Sequence, residues 1–128
     1  MRANDRIHID GYNSFMAHVN QATGLTATTV SYRGPGALCG PIAVRYHWTD
    51  VVTCSEAENG HGDRITLNAN GWETATTKKR INQWLPLPWA IWQNDFAWFL
   101  VDVRTGDTIP FYDGITLEHK AGAWVLVP

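Results

Sequence analysis

The chain has 128 residues, 45% of them hydrophobic and 17% charged. That excludes a disordered tail or supercharged arm and suffices for one domain, 1–128, with a buried core. A formal net charge of −2 and a pI near 6.2 weigh against a dedicated nonspecific nucleic-acid binder, which is usually strongly basic.

No apolar run approaches membrane-spanning length, and Met1 to Asp10 lacks the apolar core of a signal peptide, so no membrane partner is expected and the cytoplasm is the default compartment. Two cysteines, Cys39 and Cys54, are too few for a disulfide framework and fit no metal-ligand spacing. They read as free thiols of a reducing compartment, and neither a metal nor a cofactor is expected. Seven tryptophans in so short a chain are the outlier.

Ile7 and Ile9 alternate with His8 and Asp10 as a short strand would. Tyr12, Phe15, Met16 and Val19 fall on one helical face, which predicts a short N-terminal helix over about 13–22, capped by Asn13 or Ser14 and ended by Gly24. Leu25 to Tyr32 is rich in β-branched residues and reads as a strand. Arg33 to Pro41, with three glycines and two prolines, is the best functional loop on composition. It is not a phosphate cradle, because no Gly-Lys-Ser/Thr follows and Pro41 has no N–H to give.

Ala43 to Trp48 and Val51 to Cys54 read as strands with a bend at Thr49-Asp50. A polar connection, Glu56 to Asp63, then leads to a strand at Arg64 to Leu67, with a hairpin tip near Asn59-Gly60. Ile65 and Leu67 share a face, and Asn68 to Gly71 is turn chemistry. Thr77, Ile81, Trp84 and Leu85 lie at i, i+4, i+7 and i+8, the apolar stripe of a helix over about 74–85. Thr74, Thr76 and Thr77 are its candidate caps, and Pro86 and Pro88 stop it.

Trp89 to Gln93 and Phe96 to Val103 form the strongest hairpin signal, turning at Asn94-Asp95. Strands at Thr108 to Phe111, Ile115 to Leu117 and Trp124 to Val127 complete the chain. The fold class is α+β: a mainly antiparallel sheet with one central helix packed on it, and a short helix at the N-terminal end.

The run Gly71 to Asn82, GWETATTKKRIN, resembles a box in small, uncharacterised proteins of tailed bacteriophages. The matching positions are Trp72, Thr74, Thr76, Thr77, Lys78, Arg80, Ile81 and Asn82. Tyr46 to Val52 and Pro110 to Leu117 look like flanking parts of the same pattern. The resemblance covers the C-terminal two thirds and little before Ala43. It implies a phage or prophage origin and carries no activity to transfer.

Three groups of residues are candidates for chemistry. His47, Asp50, Cys54, Glu56 and His61 share one hairpin region but match no catalytic or metal spacing, so scattered polar residues on a solvated hairpin are the simpler reading and an enzyme is disfavoured. Thr76, Thr77, Lys78, Arg80 and Asn82 place hydroxyls and cations at a helix start, where they can hold a phosphate or read a base; a solvated cationic face is the commoner case.

Among the tryptophans, Trp84 and Trp98 read as core. Trp92 lies on the opposite strand face from Trp89 and Ile91, so at least one aromatic is expected outside. Exposed Trp92 and Trp72, with Arg33 of the Gly/Pro loop, are the candidates for partner binding.

The expectation is a small accessory protein that binds a macromolecule: first a host protein, second a nucleic acid through the basic helix and exposed Trp. Weaker alternatives are a virion subunit or a hydrolase. The matching compartment is the host cytoplasm, or the virion.

Overall fold

The computed structural model describes residues 9–21, 42–46, 49–58 and 60–128. Ile7 and His8 of the expected N-terminal strand, the expected strand at Leu25 to Tyr32, the Gly/Pro loop with Arg33 and Cys39, Gly24, His47, Trp48 and Asn59 lie outside them. The elements are α1 (Tyr12–Gln21), β1 (Ile42–Tyr46), β2 (Thr49–Ser55), β3 (Arg64–Leu67), α2 (Ala75–Trp84), β4 (Trp89–Asn94), β5 (Ala97–Asp102), β6 (Thr108–Pro110), β7 (Ile115–Lys120) and β8 (Ala123–Leu126). The class is α+β, with antiparallel pairing throughout.

The strands divide between two sheets, β1-β2-β3-β7-β8 and β4-β5-β6. β6 is three residues long, and Pro110 has no N–H to offer a further strand. The chain therefore leaves the small sheet there. It turns at Asp113-Gly114 and returns to the large sheet, where β7 pairs with β3.

Local rules account for most elements. Thr74 is the N-cap of α2: its Oγ1 accepts the Thr77 N–H at 3.2 Å, and Thr77, Ile81, Trp84 and Leu85 are all buried, as the stripe predicts. Ile65 and Leu67 point into the core, while the outward Thr66 meets Thr116 of β7 with hydroxyl oxygens 3.0 Å apart. At Asn70-Gly71 both residues have positive φ (51° and 81°), as turn chemistry requires.

Four local expectations are corrected. Ile9 and Asp10 are not in a strand; Ile9 is buried and its carbonyl accepts the Trp124 indole N–H at 3.0 Å. α1 is capped neither by Asn13 nor by Ser14. The Gly11 carbonyl accepts the first helical N–H, from Phe15, and the Asp63 carboxylate, 51 residues away, accepts the Tyr12 N–H at 2.8 Å. Ser14 instead receives the Asp10 N–H and donates to the Gly11 carbonyl.

Thr49 and Asp50 are not a bend but the start of β2, with Asp50 opposite Arg45 and bonded to it at 2.7 Å. Val51 is the extra residue where the register shifts, which is why Val51 and Val52 are both buried despite being adjacent.

The fourth correction concerns the β4–β5 turn. Asn94 pairs with Ala97, so the turn residues are Asp95 and Phe96 rather than Asn94 and Asp95. A shift of one residue would turn Trp98 and Leu100, both buried, to the other face.

Both helices pack on the large sheet. Phe15 of α1 meets Trp84 of α2 with ring centroids 5.4 Å apart. The sheets share one core, which runs from Ile42 and Val52 through Ile81 to Ile91 and Leu100. The Trp89 indole N–H ties β4 to the β8 edge through the Trp124 carbonyl, at 2.9 Å.

Glu118, on the opposite face of β7 from Leu117, is buried and ion-paired with Arg64 at 2.8 Å, and Lys120 lies 3.6 Å from its second oxygen. Burial pushes its carboxyl pKa up. The Arg64 hydrogen bond, the Gly62 N–H and the charges of Lys120 and Arg64 outweigh that, leaving it below the ordinary glutamate value. A folded-state pKa below the unfolded one stabilises the fold above the unfolded value, near 4.3, and that stability is lost as pH falls through the folded value.

Glu118→Gln is thus expected to lower the urea midpoint at pH 7, with the deficit shrinking below about pH 4. A deficit of equal size at pH 7 and pH 3 would contradict the assignment.

Candidate binding surfaces

The basic helix start divides into residues held by the fold and residues facing water. Thr77 is fully buried, and its hydroxyl lies 3.0 Å from the Thr74 hydroxyl. The Asn82 side-chain amide is also occupied: Nδ2 donates to the Ile91 carbonyl at 3.0 Å, and Oδ1 accepts the Ile91 N–H at 2.7 Å. It satisfies both polar groups of a residue on the open side of β4, where another strand would otherwise attach.

Thr76 and Lys79 are exposed, and Lys78 and Arg80 half-buried. None of the three cations has an ion-pair partner among the described residues. The Arg80 Nε is buried without an acceptor. Trp72, just before the cap, is 63% exposed and held by its backbone, whose N–H donates to Ala69 at 2.9 Å and whose carbonyl accepts from Thr74.

The small sheet presents the second surface. Register places Ala90, Trp92 and Asn94 of β4, Ala97, Phe99 and Val101 of β5, and Thr108 and Pro110 of β6 on one face. None of them is charged. Ala90 and Val101 are buried at the base, while Trp92 is 55% exposed beside the half-buried Phe99. The inner face carries Ile91, Trp98 and Leu100, so the alternation read from sequence put Trp92 on the correct side. Trp72 and Trp92 thus sit on different elements, and Arg33 lies outside the described residues.

The sequence reading missed Phe96. It is 93% exposed at the hairpin tip with φ +66°, next to Asp95 at +50°. A two-residue turn with both φ positive ordinarily takes Asn-Gly or Asp-Gly. The signal was the pair Asp95-Phe96, visible once the buried Trp98 and Leu100 fix the register.

Among the described members of the histidine and cysteine group, Asp50, Cys54, Glu56 and His61, no metal-ligand cluster assembles. Asp50 is bonded to Arg45, and the His61 Nδ1 lies 2.7 Å from the Gly62 carbonyl. Cys54 is fully buried; burial first, then the charges of Asp63 and Glu56, push its thiol pKa up, the reverse of what a nucleophile requires. Asp102 and Asp113 are also engaged, with the Arg104 N–H and guanidinium and with the Ala69 and Asn70 N–H groups respectively. Among the described residues no three His, Cys, Asp or Glu side chains group as metal ligands, and no helix is long and apolar enough to cross a membrane.

The model of one protein family, described as Kyanoviridae Gp96 protein, matches residues 7–118, and the chain belongs to that phage family. The match reaches back through α1, well before Ala43, and is therefore wider than the resemblance carried by the Gly71–Asn82 box. No curated protein and no solved structure matches the chain.

If the Asn82 amide serves chiefly to close β4, Asn82→Ala is expected to destabilise the fold by about 2 kcal/mol, since it leaves an N–H and a C=O without partners. Amide exchange at Ile91 should accelerate with it. Unchanged Ile91 protection in the variant would show that the clamp is dispensable.

Proposed function

We propose that this Kyanoviridae Gp96 family member acts by non-covalent binding to a host protein, through the uncharged outer face of its small sheet. One observation carries the reading: Trp92 stands half exposed on a sheet face without a charged position. Interface centres are depleted of charge and enriched in aromatic anchors. Trp72 and Arg33 are further candidates for partner binding. The expected place of action is the host cytoplasm, with the virion as the alternative.

A second reading, nucleic-acid binding, is supported by Lys78, Lys79 and Arg80, which have no ion-pair partners among the described residues, and by the exposed Trp72 just before the helix cap. Backbone phosphates take such cations, and an exposed indole can stack on a base. Thr76 stays available to this surface, whereas Thr77 and Asn82 are committed to the fold.

Two measurements separate the readings. Under the first, a host protein retained from lysate by the wild-type chain should bind Trp92→Glu about thirtyfold more weakly and a Lys78→Ala, Arg80→Ala double variant equally well. Under the second, single-stranded oligonucleotide should quench tryptophan fluorescence at low salt, and each lysine or arginine removed should lower the salt slope by roughly 1. Equal retention by wild type and Trp92→Glu counts against the sheet face, and absence of quenching at low salt counts against the helix.

A further inference from the structure

We propose that Phe96 is a peg: a single aromatic side chain held outward on the β4–β5 turn to enter an apolar, basic-rimmed pocket on a different protein. The inference rests on the protein-binding reading and specifies the anchor and the chemistry of its receiver.

The fold gains nothing visible from this side chain. At 93% exposure it touches almost none of the chain, and at φ +66° it holds a backbone conformation that a residue with a bulky side chain adopts only at a cost. The same molecule contains the relaxed solution. The β7–β8 turn, Ala121-Gly122, has the same signs (φ +51° and +82°) with glycine in the second position. Phenylalanine therefore stands where both local backbone energetics and burial favour another residue. Departures of this kind from local consistency concentrate where a side chain serves something outside the fold.

Area and charge define the partner. Phe96 and Trp92 together offer roughly 300 Å² of aromatic surface, since such side chains cover about 150–250 Å² each. A stable interface takes about 800 Å² per partner. Two copies meeting tip to tip cover little beyond these rings and fall well short of that, whereas a receiver that takes Phe96 in a concavity and lies along the uncharged face from Asn94 and Ala97 to Trp92 and Phe99 adds the missing area and excludes water from the ring. Between Gln93 and Trp98 the only charged residue is Asp95. It would repel phosphates and favours a receiver with cationic or amide donors at its rim.

The test uses the full chain carrying Phe96→Gly, Phe96→Asn, Phe96→Trp or Trp92→Glu. Expected for Gly and Asn is a thermal midpoint higher by about 2–5 °C, because the strained residue is relieved. Host lysate is the binding probe. A protein whose retention falls at least about tenfold with Gly and Asn, and is kept by Trp, supports the peg only together with that rise in midpoint.

An unchanged or lowered midpoint in both variants overturns it, since Phe96 would then serve the fold. Retention intact in Phe96→Gly but lost in Trp92→Glu overturns the peg and leaves the sheet-face reading standing. Retention indifferent to every variant overturns both. Concentration-dependent sedimentation of the wild type that Phe96→Gly abolishes would make the receiver a second copy and likewise overturn it.

Discussion

The pairing of one asparagine amide with one residue's backbone fixes the relation between the two candidate surfaces. Asn82 meets both the N–H and the C=O of Ile91, so α2 is bound to the open side of β4 in a single register. From there β4 is tied onward, since the Trp89 indole reaches the Trp124 carbonyl of β8 and the Trp124 indole reaches Ile9. A small three-stranded sheet has little core of its own. These polar ties, together with Ile81, Ile91 and Leu100 in a common core, make it part of the larger body. A buried amide with both ends satisfied also specifies geometry better than apolar contact, which tolerates sliding.

Two close approaches at glycine, one to a carboxylate and one to a backbone carbonyl, perform the same service for the N-terminal side. Asp63 accepts from Tyr12 and from Ala57 at once, and a Cβ at Gly11 would stand 3.0 Å from its Oδ2. At Gly62 a Cβ would lie 2.2 Å from the His119 carbonyl, so the chain can pass over β7 only without a side chain there. The connection 56–63, which reads as a polar hairpin loop, is thus the place where α1, β3 and β7 are pinned together.

These contacts show why legibility stops where it does. α2, its Thr74 cap and its buried stripe follow from spacing within a dozen residues, and so does the face that Trp92 takes. Asn82 has equally plain local surroundings, yet nothing in the sequence separates a polar helix residue facing water from one facing the backbone of a later strand. That is why it reads as a base-contacting side chain. Asp63 and the α1 N-terminus are 51 residues apart, beyond any local rule, and Asn13 and Ser14 are the better caps by proximity alone. The division into two sheets depends on β3 passing over three intervening strands to pair with β7. Phe96 escapes for a different reason: aromatic residues favour strands, and only the register set by Trp98 and Leu100 moves it into the turn.

The shared seam also governs how the surfaces are separated experimentally. Lys78 and Lys79 precede Asn82 by one helical turn, and Trp92 follows Ile91 directly, so both surfaces flank the same clamp. A change at Asn82 loosens the helix and the strand together and cannot say which of them binds. Only side chains that project without supporting the seam can tell the two apart, and the exposed ring atoms of Trp92 and the exposed Lys79 of α2 meet that condition. Trp89 does not, because its indole carries the bond that joins the sheets. Its loss would remove the aromatic face by undoing its foundation rather than by deleting a contact.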